Sequence, residues 1–504
     1  MTGRNAGFPG WLWPGVAAAS VIAIIAIAAF SALWRHAPAH PWRPLLADSY
    51  LWHVVSFTFI QALLSALCAT LPAVALARAL YRRRFPGRAL LLRFCGMTLV
   101  LPVLVGVFGI MSVFGQQGWL AQLCRLLHVE YGFSPYGLSG ILLAHVFFNL
   151  PLATRLLLQA LESIPVEQRQ LAAQLGMSAG PFFRLVEWPY LRRQLLPAAA
   201  LIFMLCFASF ATVLALIQMV CCLGLVMLSQ RLAGALPVGH SQHARWRERQ
   251  TAPGGILCDG LIILAALLFL VPPLLAVVIG GLSGSLLTVL TQTALWRAVF
   301  TSLSIALCAG LLCLLLTAML LWSSRELRLR QRRLGAQLLD LSGMVILAMP
   351  GIVLATVFFL LAMDSGGLPA SPAPVVILAN ALMAIPYALK VLESPMQDVA
   401  DRYRQLCLAL DLRGLNRLRL VEWRALRQPA GRALAFASIL SLGDFGVIAL
   451  FGSEDFRTLP LYLYQQIGAY RSQDGAVTAL LLLLLCLLLF SLFETLSGSH
   501  DNAG

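Results

Sequence analysis

The sequence predicts an all-α polytopic membrane protein made of two homologous multi-span helical halves. Three observations predict it. Of its 504 residues, 60% are hydrophobic and 11% charged, a balance far from that of a soluble domain. Apolar runs near the twenty residues that cross a hydrocarbon core recur throughout. The chain also repeats itself: RQLAAQLGMSAGPFFRLVEW at 169–188 returns, offset by 235, as RQLCLALDLRGLNRLRLVEW at 404–423. Such self-similarity marks a duplicated architecture.

Along the chain, the candidate spans are 12–33, 54–76, 97–114, 138–158, 198–228, 256–278, 298–321, 344–363, 375–392, 433–451 and 476–493. The first follows a single arginine and exceeds a signal-peptide core, so an uncleaved span is expected. Leu51, Trp52 and Val55 match Leu295, Trp296 and Val299; Pro102 matches Pro350, Pro151 matches Pro386, and Phe210 matches Phe445. The halves are therefore 1–230, with a polar loop at 162–197, and 256–504, with its counterpart at 393–432; 231–255 is a polar, cytoplasmic linker.

The net charge of +15 sits in short arginine clusters beside the spans: Arg82, Arg83, Arg84 and Arg88, then Arg192 and Arg193, then 245–249, 325–333 and 413–432. Short arginine-rich loops mark the cytoplasmic side, so the charge reports topology and argues against nucleic acid as a partner. The eleven cysteines lie mostly in or beside apolar runs without metal-ligand spacing, which reads as packing.

One stretch resists this topology. The second half separates its last two spans by a polar stretch, 452–475, whereas the first runs uncharged from 198 to 228 between two basic flanks. Two crossings need roughly 40 apolar residues plus a turn. The first half is thus about two dozen residues short of the duplicated plan near 215–217. Either the fifth and sixth spans form a cramped hairpin, or one crossing inverts everything after it.

The repeated islands suit docking of a soluble partner, with Leu171, Leu175, Phe182 and Phe183 as apolar contacts and Gly176 as a sharp turn. The alternative is an interfacial loop held by lipid headgroups. Retained identities amid drifting apolar neighbours favour docking. The only lysine, Lys390, lies in a span, so no phosphate-binding Gly-Lys-Ser/Thr loop exists. Any ATP is therefore hydrolysed elsewhere. Neither a metal-hydrolase motif nor a nucleophile elbow appears, so the chain reads as a non-enzyme without a bound cofactor.

Polar residues inside spans are the other candidates. Asp444, with Ser209 at its counterpart position, is either a helix-packing carboxylate or a pore-lining group facing a cation. Asn149 and Asn380 are candidates for the translocation pathway, reading as inter-helix hydrogen bonders ahead of substrate contacts, and Arg155 and Lys390 read as snorkelling cations.

QLAAQLG followed by FFRLVEWPYLRRQLLP resembles the EAA loop of bacterial binding-protein-dependent ABC importer permeases. Gln170 stands where that family has glutamate; Ala172, Gly176 and Pro189 fit. In the second copy Gln405, Leu406, Cys407 and Asp411 fill the positions of Gln170, Leu171, Ala172 and Gly176, and Arg424 replaces the proline. Fused halves are similar to the iron-type and thiamine-type permeases. SYLWHVV, ARALYRRRFPGR, FSPYGLSGILLAHVFFNLP and FRTLPLYLYQQIGAYRSQDGAVTALLLLLLC resemble the thiamine (thiamine pyrophosphate) type. The resemblance implies a type I importer fold of nominally twelve spans in the inner membrane. It further implies two copies of an ABC ATPase subunit below and a periplasmic thiamine-binding protein above. The islands would be ATPase-coupling loops, and Phe207, Phe210 and Phe445 would offer ring faces to a thiazolium. A ferric-iron permease of the same fold and a secondary transporter are the rival readings.

Overall fold

The computed structural model describes residues 11–35, 47–97, 101–207, 224, 253–282, 286–346, 351–364, 371–410, 412 and 414–498. The described residues form helices joined by turns and loops, without a strand among them. Eight helices are long and apolar enough to cross a membrane, and two shorter apolar ones accompany them. Ser209, Phe210, Asp411, most of the linker and the 215–217 junction lie outside the described residues.

The chain forms two compact units. One contains α2 (Ser49–Arg82), α3 (Arg88–Met97), α4 (Val103–Phe114), α5 (Trp119–Leu126), α6 (Leu138–Glu162), α7 (Val166–Gln174), α8 (Ala179–Phe182), a π turn (Phe183–Glu187), α9 (Trp188–Phe207) and α10 (Pro253–Leu282). Its core is α2 packed on α6 and α9. The buried face of α2 carries Ala62, Ser65, Ala66, Ala69, Ala73 and Ala77, small residues that let backbones approach where no hydrophobic effect drives association.

The other unit repeats the plan with α11 (Leu286–Leu290), α12 (Thr293–Leu329), α13 (Arg333–Val345), α14 (Gly351–Asp364), α15 (Ala373–Arg402), α16 (Arg404–Ala409), α17 (Gly414–Arg417), a second π turn (Leu418–Glu422) and α18 (Trp423–Leu442). Here α12 packs on α15 and α18. Two short-range differences follow from sequence. Pro165 caps α7 and separates it from α6, whereas Ala400 at the matching position lets α15 run on to Arg402. The first half adds α5 after α4. Beyond α18 the described residues continue through α19 (Ile448–Phe451), α20 (Leu459–Gly468) and α21 (Ser472–Gly498), whose matching positions in the first half lie largely outside the described residues. Helix α20 is tied down by polar contacts: Leu459 N–H donates to Ser302 Oγ at 2.6 Å, and Tyr462 O–H to Gln292 Oε1 at 2.6 Å.

The leading helix of each half belongs to the unit of the other half. The opening helix α1 (Trp13–Arg35) packs on α12, α13 and α14. Gly15 N–H donates to Ser323 Oγ at 2.9 Å, and a Cβ on Gly15 would run into that serine. In the first-half unit, α10 packs on α2, and Gly109 of α4 lies against the Pro273 carbonyl so closely that no Cβ fits.

This packing also fixes sidedness. Arg83, at the arginine-rich end of α2, pairs with Asp259 in the opening turns of α10 at 2.8 Å. Helix α10, the first of the second half, therefore begins at the same end of this unit at which α2 ends.

Candidate coupling loops and intramembrane polar residues

Both islands fold into the same local structure. In the first copy α7 ends in a Schellman closure: Gly176 N–H donates to the Ala173 carbonyl and Met177 N–H to that of Ala172, both at 3.1 Å. Gly176 adopts φ +61°, which only glycine enters without strain. In the second copy Leu412 N–H donates to the Cys407 carbonyl at 2.9 Å, the same bond 235 residues on.

Orientation is preserved as well. Gln170, Leu171 and Leu175 are exposed, as are Gln405, Leu406 and Leu410, while Ala172 and Cys407 are buried. Leu185 and Leu420, on the two π turns, add a third exposed leucine to each face. Phe182 and Phe183 are only partly exposed. The Phe183 ring lies under the Arg78 guanidinium, 4.0 Å from its centroid, so the apolar surface each loop offers is carried by leucines. Arg169, which opens the first frame, donates to the carbonyls of Leu161, Glu162 and Ile164 and so fastens α7 to the end of α6.

The residues that close the frames, Glu187 and Glu422, were not singled out by sequence reasoning. Both are buried among arginines: Arg78 and Arg82 face Glu187, and Arg325 and Arg417 face Glu422. An acidic residue retained identically in an otherwise basic, drifting loop was the available signal.

Within the membrane, Asn149 donates to the His145 carbonyl at 2.8 Å and approaches Cys206 Sγ at 3.5 Å. Asn380 donates to Ser441 Oγ at 2.9 Å. Cys206 and Ser441 are repeat counterparts, so both amides tie their helix to the same position on α9 or α18. A second polar cluster joins Ser65 Oγ to His145 Nδ1 at 2.9 Å with the buried Gln61 beside it; in the second half Gln61 and Ser65 have the apolar counterparts Ile305 and Ala309, while His145 has Asn380. Asp444 sits in the break between α18 and α19, where its carboxylate accepts the Val447 N–H at 3.2 Å. Phe445 packs on Tyr464, ring centroids 4.8 Å apart, and Phe207 stacks on Phe203 at 5.5 Å. Arg155 and Lys390 are exposed. Among the described residues no three His, Cys, Asp or Glu side chains converge to hold a metal.

Comparison with known proteins agrees with this geometry. The family described as "Binding-protein-dependent transport system inner membrane component" matches residues 326–498, the half whose loop departs further from the EAA pattern. The chain is 61% identical to the thiamine transport system permease protein ThiP of Escherichia coli (strain K12), and 61% to that of Salmonella typhimurium, over 99% of both chains. It is 41% identical to that of Haemophilus influenzae, over 97% of this chain and 96% of the relative. The Escherichia coli alignment spans 530 positions against 504 residues here, so at least 26 positions of the relative face no residue of this chain. That number agrees with the shortfall between its own halves. No solved structure matches the chain.

Proposed function

Since the chain belongs to the thiamine transport system permease proteins, we propose that its two loops dock two copies of an ATPase subunit and so power thiamine import. The chain is the membrane-spanning permease subunit of a binding-protein-dependent importer of the bacterial inner membrane; it is not itself an enzyme. The observation that carries the reading is 61% identity across 99% of both chains. The duplicated exposed leucine faces support the copy number: each loop offers an equivalent docking surface, and equivalent surfaces call for equivalent partners.

In this reading a periplasmic binding protein delivers thiamine, and ATP binds only to the partner subunit. Closure of the two ATPase copies pulls on Leu171, Leu175 and Leu185 in one half and on Leu406, Leu410 and Leu420 in the other. The helices behind the loops then rock between outward and inward access. Burying a leucine side chain contributes about 1.5–3 kcal/mol, so the leucines are the main apolar contribution each loop brings to docking. Asp444, its counterpart Ser209, and Phe210 and Phe445 are proposed pathway residues; for Asp444 the capping contact to Val447 is the competing role. Asn149 and Asn380 act in this scheme as inter-helix ties rather than substrate contacts.

The test is uptake of labelled thiamine by a strain lacking its own permease but carrying the matching ATPase and binding protein. Uptake that thiamine competes away, and that loss of the ATPase abolishes, is expected. Uptake competed by ferric iron, or surviving without the ATPase and collapsing with an uncoupler, would point to the rival readings instead.

A further inference from the structure

The two π turns end in glutamates that no docking face uses. Glu187 and Glu422 are 0% and 1% exposed, and each meets two arginines. Arg78 Nε donates to Glu187 Oε2 at 2.7 Å, with Arg82 at 3.4 Å. Arg325 and Arg417 approach Glu422 Oε1 at 2.9 and 2.7 Å, as ion pairs outside hydrogen-bond angles. A buried carboxylate is costly unless paired, and breaking such a pair leaves an uncompensated charge.

The arginines do not follow the repeat. At the offset that matches Leu51 with Leu295, Arg78 corresponds to Trp322, and Arg325 to Tyr81 one helical turn on. The second cation comes from α2 in one half, as Arg82, and from the loop itself in the other, as Arg417, where the first copy has Phe182. Duplication copies residues in register. Here the glutamate is in register while its cations are rebuilt from other positions, so the contact itself has been kept rather than inherited passively. Ring contacts brace both sites: Arg78 lies over Phe183, and Arg325 over Trp322 at 4.5 Å.

Each site stands between the exposed leucines of a loop and the end of the long helix behind it. A π turn places an extra residue in the helix and recurs at functional sites. We propose that Glu187 and Glu422 are positioning residues, the joints through which each loop's displacement is passed to α2 and α12 rather than absorbed in the π turn. This rests on the coupling role proposed above.

The test uses the full chain reconstituted in liposomes with its ATPase and binding protein, comparing wild type with Glu187→Gln, Glu422→Gln and the double variant at equal membrane levels. ATPase co-purification, basal ATP hydrolysis, hydrolysis stimulated by the thiamine-loaded binding protein, and thiamine uptake are read together. In the double variant, co-purification and basal hydrolysis are expected within twofold of wild type, with stimulation and uptake down at least tenfold; Glu→Asp at both sites should recover part of the loss. Should the glutamine variants fail to accumulate, Arg78→Lys with Arg325→Lys, which keeps charge but loses the planar guanidinium fork, is expected to give the same uncoupling. Wild-type stimulation and uptake in either pair would overturn the joint. So would co-purification falling in step with uptake, which would mark a docking role. Wild type importing no thiamine would overturn the function reading, and the joint with it, and that outcome is distinct from the others.

Discussion

Gly176 isolates one residue's contribution. Its φ of +61° costs a side-chain-bearing residue roughly 1–2 kcal/mol, and no heavy atom lies within 4 Å of where its Cβ would stand. The penalty there is the backbone's alone. Gly176→Asn, whose short amide tolerates the left-handed region, is expected to keep ATPase co-purification near wild type, while Gly176→Val loses most of it. Equal loss in both would mean the position needs more than a turn. The Asn380–Ser441 contact is a second separable pair. A double-mutant cycle with Asn380→Leu and Ser441→Ala, followed by thermal unfolding in detergent, is expected to give a coupling of about 0.6 kcal/mol. At this scale the turn glycine and the bridging asparagines were legible from residue type and position. Glu187 was not, because Arg78 lies 109 residues away and only the fold shows that one closes on the other.

Among the elements, the duplicated loop is the most informative, because its two copies differ in sequence yet keep the same exposed face. Leu171→Asp with Leu175→Asp removes two apolar contacts and adds two charges to one loop. Co-purified ATPase is expected to fall severalfold, and further when Leu406→Asp and Leu410→Asp are added, with membrane insertion unchanged. An additive effect of the two loops would fit one partner copy on each; if only one loop mattered, the two-copy assembly would fail. The helices themselves were legible because apolar runs and prolines mark them, and Pro165 against Ala400 accounts for α15 running on where α6 stops. Helix α20 was not: its stretch reads as a polar loop, and it becomes an element because Tyr462 and Gln466 find partners in Gln292 and Thr478. Packing between elements was equally invisible. Gly109→Leu would force α4 off the Pro273 backbone of α10 and is expected to lower the amount of folded protein recovered from the membrane, whereas Gly132→Leu, whose Cβ would meet nothing within 4 Å, should not.

For the whole molecule, the decisive question raised by the sequence was whether the shortened first half leaves the second half upside down. Duplication and positive loops set up that question but could not answer it, because the flanks of 198–228 constrain the ends of the run and not its path. For α10, the first helix of the second half, the answer comes from a contact between distant segments. Helix α9 starts from the arginine-rich face at Trp188, and α10 begins again at that face, where Asp259 meets Arg83. An inverted second half would carry Asp259 to the opposite face, a membrane thickness of about 30 Å away, and no pair could form. The exchange of leading helices makes this consequential, since α10 completes the first-half unit and must enter from the correct side to do so. A reporter active only in the cytoplasm, fused after Gly255, is therefore expected to be active, and one active only in the periplasm to be silent. Asp259→Arg, which sets two cations against each other, should reduce thiamine uptake at least severalfold, with recovery when Arg83→Asp is added. Periplasmic reporter activity, or no recovery in the swapped pair, would break the link between this contact and the importer's topology.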